Sequence, residues 1–126
     1  MVRKQEGISE FEINKDILVI HVNGELDHHN SAFIREQADD IIYHNNIHNI
    51  IFDFAGTAFM DSSGIGVIMG RYKLIKGVGG KIGIINAGNS IRKILLYSGL
   101  NKITMQYSDL DSAVETISNE RGAEEC

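Results

Sequence analysis

A chain of 126 residues with 43% hydrophobic and 23% charged side chains has the make-up of one globular domain and lies far from that of a disordered polymer. Its 12 Lys and Arg stand against 17 Asp and Glu, a formal net charge of −5, which argues against a dedicated nucleic-acid binder because such affinity rests on cationic side chains neutralising phosphates. The single cysteine, Cys126, is the last residue, so a disulfide framework and a thiolate zinc set are excluded and the composition fits a reducing cytosol.

Phe11 and Ile13 alternate, Asn14-Lys15-Asp16 breaks the pattern, and residues 17–22 form a β-branched run closed by Asn23-Gly24. This reads as a hairpin feeding a buried strand. From Ser31 the period changes to 3.6: Phe33, Ile34, Ala38, Ile41 and Ile42 share one side, with Arg35, Glu36, Asp39 and Asp40 on the other. Asn45-Asn46 interrupts that helix, and residues 47–54 are apolar enough for an interior strand with one charge, Asp53, near its exit.

A second helical period runs from Ser62 to about Lys76 and ends at Gly77-Val78-Gly79-Gly80, followed by a strand over 81–85. Asn89-Ser90 offers a cap for a third helix carrying Ile91, Ile94 and Leu95, with Gly99 as its stop. Ile103, Met105 and Tyr107 alternate as a strand, and Ser108 with Asp111 has the form of a capping box for a last helix through Ala113, Val114 and Ile117. The expected domain covers residues 1–118, and 119–126 reads as a loose polar tail. Two strands followed by alternating helices and strands predict an α/β fold with a mostly parallel sheet and right-handed crossovers.

The apolar runs at 17–20 and 50–52 fall far short of the ~20 residues that span a bilayer, and residues 1–6 lead into no signal-like core. A cytoplasmic protein without membrane insertion is expected.

Residues 59–66, Phe59-Met60-Asp61-Ser62-Ser63-Gly64-Ile65-Gly66, lie where a strand hands over to a helix, the place where α/β sheets put their sites. A helix N-terminus presents unpaired N–H groups and a positive dipole end, so a hydroxyl there caps the helix and a phosphate there is tolerated. Capping alone needs one residue, yet Asp61, Ser62 and Ser63 are all capable of it, which leaves two to be exposed. Gly64, Gly66 and Gly70 each sacrifice about 1 kcal/mol of helix propensity relative to Ala. Gly66 and Gly70, four apart, make a smooth stripe for close approach to the sheet or to another protein, and the sheet is the expected neighbour.

Asp27-His28-His29 follows a strand and shares a sheet edge with the Ser62 loop in a parallel arrangement; as a plain helix entry it would be capped by Asn30 or Ser31. Two adjacent histidines are poorly placed to share one ion, and His44 and His48 straddle a helix end, so no metal site is expected. The nucleophile-elbow form Gly-x-Ser-x-Gly is absent, which counts against a serine hydrolase. Gly77-Val78-Gly79-Gly80-Lys81 lacks P-loop spacing and leads from helix to strand, the reverse of the order a P-loop needs, so it reads as a turn.

The run from Phe59 to Lys73, together with Gly24-Glu25-Leu26-Asp27-His28-His29, resembles the STAS-domain anti-sigma-factor antagonists over nearly the whole chain, most closely the sporulation members of that family. Periodicity leaves Ser62 and Ser63 as alternatives, and the resemblance selects Ser62, directly after the aspartate of the Asp-Ser-Ser-Gly motif, as the phosphorylated residue. It implies helices gathered mainly against one face of the sheet and a non-enzymatic bacterial regulator without a cofactor of its own. The implied partner is an anti-sigma factor that is also a serine kinase, with bound ADP or ATP. The unphosphorylated antagonist captures it and frees a sigma factor, phosphorylation ends this, and a serine phosphatase restores it. Asp27 and His28 with Asp61, Ser62, Ser63, Gly64, Ile65 and Gly66 form the implied partner-binding surface. The alternative is a STAS module that binds a small ligand or regulates a larger assembly without phosphorylation.

Overall fold

The computed structural model describes residues 9–125, with side chains described for 9–120. The opening residues 1–6 and Cys126, both read above from sequence, therefore lie outside the described residues. Strand β1 (Glu10–Asn14) turns through Lys15, at φ 59°, into β2 (Ile17–Asn23). There follow α1 (His28–His44), β3 (Asn49–Gly56), α2 (Ser62–Ile75), β4 (Ile82–Ile85), α3 (Asn89–Ser98), β5 (Thr104–Tyr107) and α4 (Leu110–Glu125).

The five strands lie in sequence order; β1 pairs antiparallel with β2, and the remaining pairs are parallel. That order explains the layering. Each parallel crossover steps in the same direction across the sheet, and right-handed crossovers of one direction all pass over one face. Helices α1, α2 and α3 accordingly share a core with Leu18, Ile20, Val22, Ile50, Phe52, Phe54, Ile82 and Ile84, to which they give Ile34, Ala38, Val67, Ile68, Ile91 and Leu95. The alternate residues Ile17, Val19, Ile51 and Ile85 face the other way and are covered by Ala113 and Ile117 of α4. Gly83 lets α4 come close, since a Cβ there would stand 3.3 Å from Ile117 Cδ1 and 3.2 Å from Tyr107 Cε2. The expected α/β fold with a mostly parallel sheet and helices mainly on one face is the observed one.

Three local expectations are corrected. The cap of α1 is Asp27, not Asn30 or Ser31: its Oδ1 accepts from the Asn30 amide at 2.9 Å, so the helix begins three residues before the periodicity shows it. The cap position of α3 is Gly88, with Asn89 and Ser90 already helical. At α4 the cap is Asp109, whose Oδ1 accepts from the Ser112 amide at 2.7 Å, rather than Ser108. Hydrophobic spacing marks where a helix becomes buried, whereas the backbone entry angle decides the cap. The stretch after Asn119, expected as a loose tail, continues α4 to Glu125. Gly77 to Gly80 is a turn as expected: a single 3-10 turn over Lys76–Val78 closed by Gly79 in the left-handed region at φ 76°. Among the described residues no helix is long and apolar enough to cross a membrane.

Candidate functional site: a serine between two helix N-termini

The parallel ladder of β2 and β3 does not stop at the strand ends. The Gly24 amide donates to Gly56 O at 3.0 Å, the Leu26 amide to Phe59 O at 3.0 Å, and the Asp61 amide to Leu26 O at 3.3 Å, with Leu26 and Met60 forming a parallel bridge. Thr57, buried, donates its hydroxyl to Val22 O at 3.0 Å. Asn30 Nδ2 donates to Asn23 O and Glu25 O, fixing the first loop from the other side. The entries to α1 and α2 are thus held side by side, which brings Asp27 and His28 to the edge that carries Ser62, as the parallel order predicts.

Asp61 is the N-cap of α2, its Oδ1 accepting from the Ser63 amide at 2.8 Å. Ser62 is the first helical residue and is exposed; Ser63 is half-buried. A single cap serves the helix, so the hydroxyl of Ser62 is left to solvent at the positive end of the helix dipole.

The three glycines of α2 separate. Gly64 is buried, and a Cβ there would stand 2.8 Å from Met60 Cβ and 2.9 Å from Leu26 Cγ and Leu26 O, so only glycine lets the helix seat on the paired loops. Gly64, expected as part of the partner-binding surface, is buried and acts as a spacer within the fold. A methyl group at Gly66 or Gly70 would meet nothing within 4 Å, which corrects the expectation that their stripe approaches the sheet. It faces outward. Of the remaining predicted residues, Asp27 and His28 are exposed, and Asp61 and Ile65 are half-buried.

Two features of this edge escape a reading of the sequence. Phe59 lies within the motif run without any sign there that it is exposed, and it stands 48% exposed beside the serine loop. Between α1 and α2 lies a groove of about 260 Å³ lined by His28, Ser31, Ala32, Arg35, Ser63, Gly66 and Val67. Farther along α2, buried Arg71 pairs with α1, its Nε 2.9 Å from Asp39 Oδ1. Burial lowers the Arg71 pKa from its ordinary value, Asp39 opposes this, and the nearby charge of Arg35 adds to the lowering. Small residues at 32 and 66 on facing helices signal such a groove only once the pairing of α1 with α2 is known.

The histidines serve other places. His44 Nδ1 contacts Asp40 O at 2.9 Å, and His48 Nδ1 contacts Asp16 Oδ2 at 3.2 Å. His21 lies on the α4 side of the sheet, its Nδ1 2.6 Å from Asp53 Oδ2 and its Nε2 2.6 Å from Glu12 Oε1. Among the described residues no three His, Cys, Asp or Glu side chains gather in a metal-sized cluster.

A single α/β domain with a rigid edge, a capped helix and an exposed hydroxyl beside an apolar ring and an open groove has the build of a protein-docking module. The comparisons give that class its family. A model of the STAS domain matches residues 9–115, and the chain belongs to the STAS-domain family. An anti-sigma F factor antagonist from Paenibacillus polymyxa is 39% identical over 108 residues, 86% of this chain and 92% of that protein. Two solved structures of the anti-sigma factor antagonist SpoIIAA are also similar, each at TM-score 0.70 and each with 98% of its chain covered. The unphosphorylated form is 29% identical over 90% of this chain, and the phosphorylated form, from Bacillus, is 31% identical over 86%.

Proposed function

We propose that this chain is an anti-sigma-factor antagonist and that Ser62 is its switch. In the unphosphorylated state it binds an anti-sigma factor that is also a serine kinase, and the sigma factor is released. The kinase then transfers the γ-phosphoryl group of ATP to Ser62: a P–Oγ bond forms, the bond to the ADP oxygen breaks, and the hydroxyl proton leaves. A serine phosphatase reverses the modification. The observation that carries this reading is the exposure of Ser62 directly after a cap that already satisfies the helix. The names of the relatives, and the existence of one of them in a phosphorylated form, support it.

The electrostatics say where the switch acts. A phosphate adds about −1.5 to −2 charges to a chain already at −5, but at a helix N-terminus it is neutral or favourable for the fold. The effect therefore falls on the complex, where a desolvated surface fitted to a neutral hydroxyl must accept an unmatched anion. Each 1.4 kcal/mol of mismatch is roughly tenfold in affinity.

Incubation with the cognate anti-sigma kinase and ATP, followed by intact-mass measurement and peptide mapping, is expected to show one phosphate, on Ser62. Label on Ser63 alone overturns the assignment, and no label at all favours a STAS module that works without phosphorylation. Ser62→Ala is expected to bind constitutively and Ser62→Asp at least about tenfold more weakly, with both folded. Equal affinities of the two for the anti-sigma factor would contradict the electrostatic account.

A further inference from the structure

We propose that the groove between α1 and α2 receives an acidic side chain of the bound protein partner, with Arg35 supplying the charge and Ser31 a hydroxyl donor. The inference rests on the antagonist reading above and adds the chemistry of the contact. Three observations carry it.

The first is charge. In a chain of net −5, Arg35 lines the groove exposed and, among the described residues, has no ion-pair partner. His28 stands at the same wall. The one carboxylate paired there, Asp39, is taken by Arg71. The groove is a positive spot on a negative molecule, complementary to an anion.

The second is an orphan. Ser31 is 4% exposed, lines the groove, and its Oγ has no hydrogen-bond partner. Buried polar atoms are nearly always paired, so this unpaired hydroxyl in the groove wall, about one helical turn from Arg35 on α1, points to an acceptor that arrives on binding. The third is size. About 260 Å³ falls below the ~300–1,000 Å³ of small-molecule pockets, and the open surface over Gly66 leaves room for a side chain reaching in from a docked protein. The groove shares Ser63 and Gly66 with the first turns of α2, so an acidic residue seated there lies near Ser62, and a phosphate on Ser62 would repel it while competing for Arg35.

The test is titration calorimetry of the whole chain against the anti-sigma factor that phosphorylates it, at low and high salt. Arg35→Glu is expected to weaken binding at least tenfold and to reduce its salt dependence. Lys93→Glu, the same charge change on exposed α3 outside the groove, is expected to change binding less than twofold. Ser31→Ala is expected to weaken binding while leaving thermal stability equal or higher, an outcome that loss of a structural contact would not give. A partner Asp or Glu→Arg change that restores binding to Arg35→Glu would confirm the pairing. Equal effects of Arg35→Glu and Lys93→Glu, or none from Arg35→Glu, sink the inference. The antagonist reading survives that result if Ser62→Asp still weakens the complex. If the unmodified chain neither binds the anti-sigma factor nor is labelled on Ser62, the reading fails and takes the inference with it.

Discussion

Gly64 and Gly66 stand two residues apart on α2 and meet opposite surroundings. A methyl group at Gly64 has to displace Met60 or the Leu26 backbone, so Gly64→Ala is expected to destabilise the domain by about 1–3 kcal/mol through overpacking. At Gly66 the same methyl meets open space, and Gly66→Ala is expected to stabilise by about 0.5–1 kcal/mol through helix propensity. Urea unfolding of the two variants checks the sign difference, and two shifts of the same sign would contradict this placement. The sequence shows that three glycines in one helix need a reason, but not which of them supplies it. Their roles depend on the rotational phase of α2 over Leu26, which is set by the loop pairing and not by periodicity. Ser62 is legible for the opposite reason. Local capping chemistry narrows the choice to Ser62 and Ser63 and the resemblance selects Ser62, while the structure adds that Ser62 is exposed and Ser63 half-buried.

Among the elements, β1 is attached to the sheet by an electrostatic clasp as well as by its ladder. Both ring nitrogens of His21 face carboxylate oxygens, which only accept when ionised, so the setting favours the doubly protonated ring as a cation between Glu12 of β1 and Asp53 of β3. Glu10, the register partner of His21, adds a further negative group from β1, and the flanking Asn86 is uncharged. Burial opposes the charge on His21, but the hydrogen bonds to Glu12 and Asp53 outweigh it and the pKa is raised above 6.5. Burial likewise pushes Asp53 up, yet the bonds donated by Asn86 and the Ala55 amide, with that of His21, hold it below its ordinary 3.8.

The signs follow from linkage. The His21 contribution is complete below its unfolded pKa of 6.5 and is lost as pH rises through the higher folded value. The Asp53 contribution is present above 3.8 and is lost as pH falls through the lower folded value. Stability is therefore expected to be greatest between those limits and to decline on the alkaline side of 6.5, a slope that His21→Gln should flatten. Denaturant titrations between pH 5 and about 8.5 measure it, and an unchanged slope in the variant would remove His21 as its source. The strands themselves are readable from their β-branched runs. The clasp is not, because it joins residues 9 and 32 positions apart through the pairing of three strands.

At the scale of the whole molecule, element order forecasts a mostly parallel sheet with right-handed crossovers, but the strand order comes from the structure: crossovers stepping one way leave one face for α1 to α3, as the resemblance implies, and the other for whatever follows β5. What order alone withholds is how fully α4 takes that second face. Ala113 and Ile117 are buried against Ile17, Val19, Ile51 and Ile85, so a chain ending at Ser108 uncovers a contiguous apolar surface. Such a truncation is expected to associate or precipitate, as size-exclusion chromatography would show. A monomeric, cooperatively folding truncation would mean that the second layer is dispensable. The phosphorylation proposed for Ser62, exposed at the start of α2, would leave both layers their packing.

The backbone stitch between Leu26 and Met60 carries one more consequence. Because the two strand exits share amide bonds, neither can be tugged aside without dragging the other, and anything that seizes one meets the stiffness of both. Under the function proposed above, recognition at this rim would be lock-like: the grip is cast before the visitor comes, and a single added anion would bar entry without any part of the casting having to move.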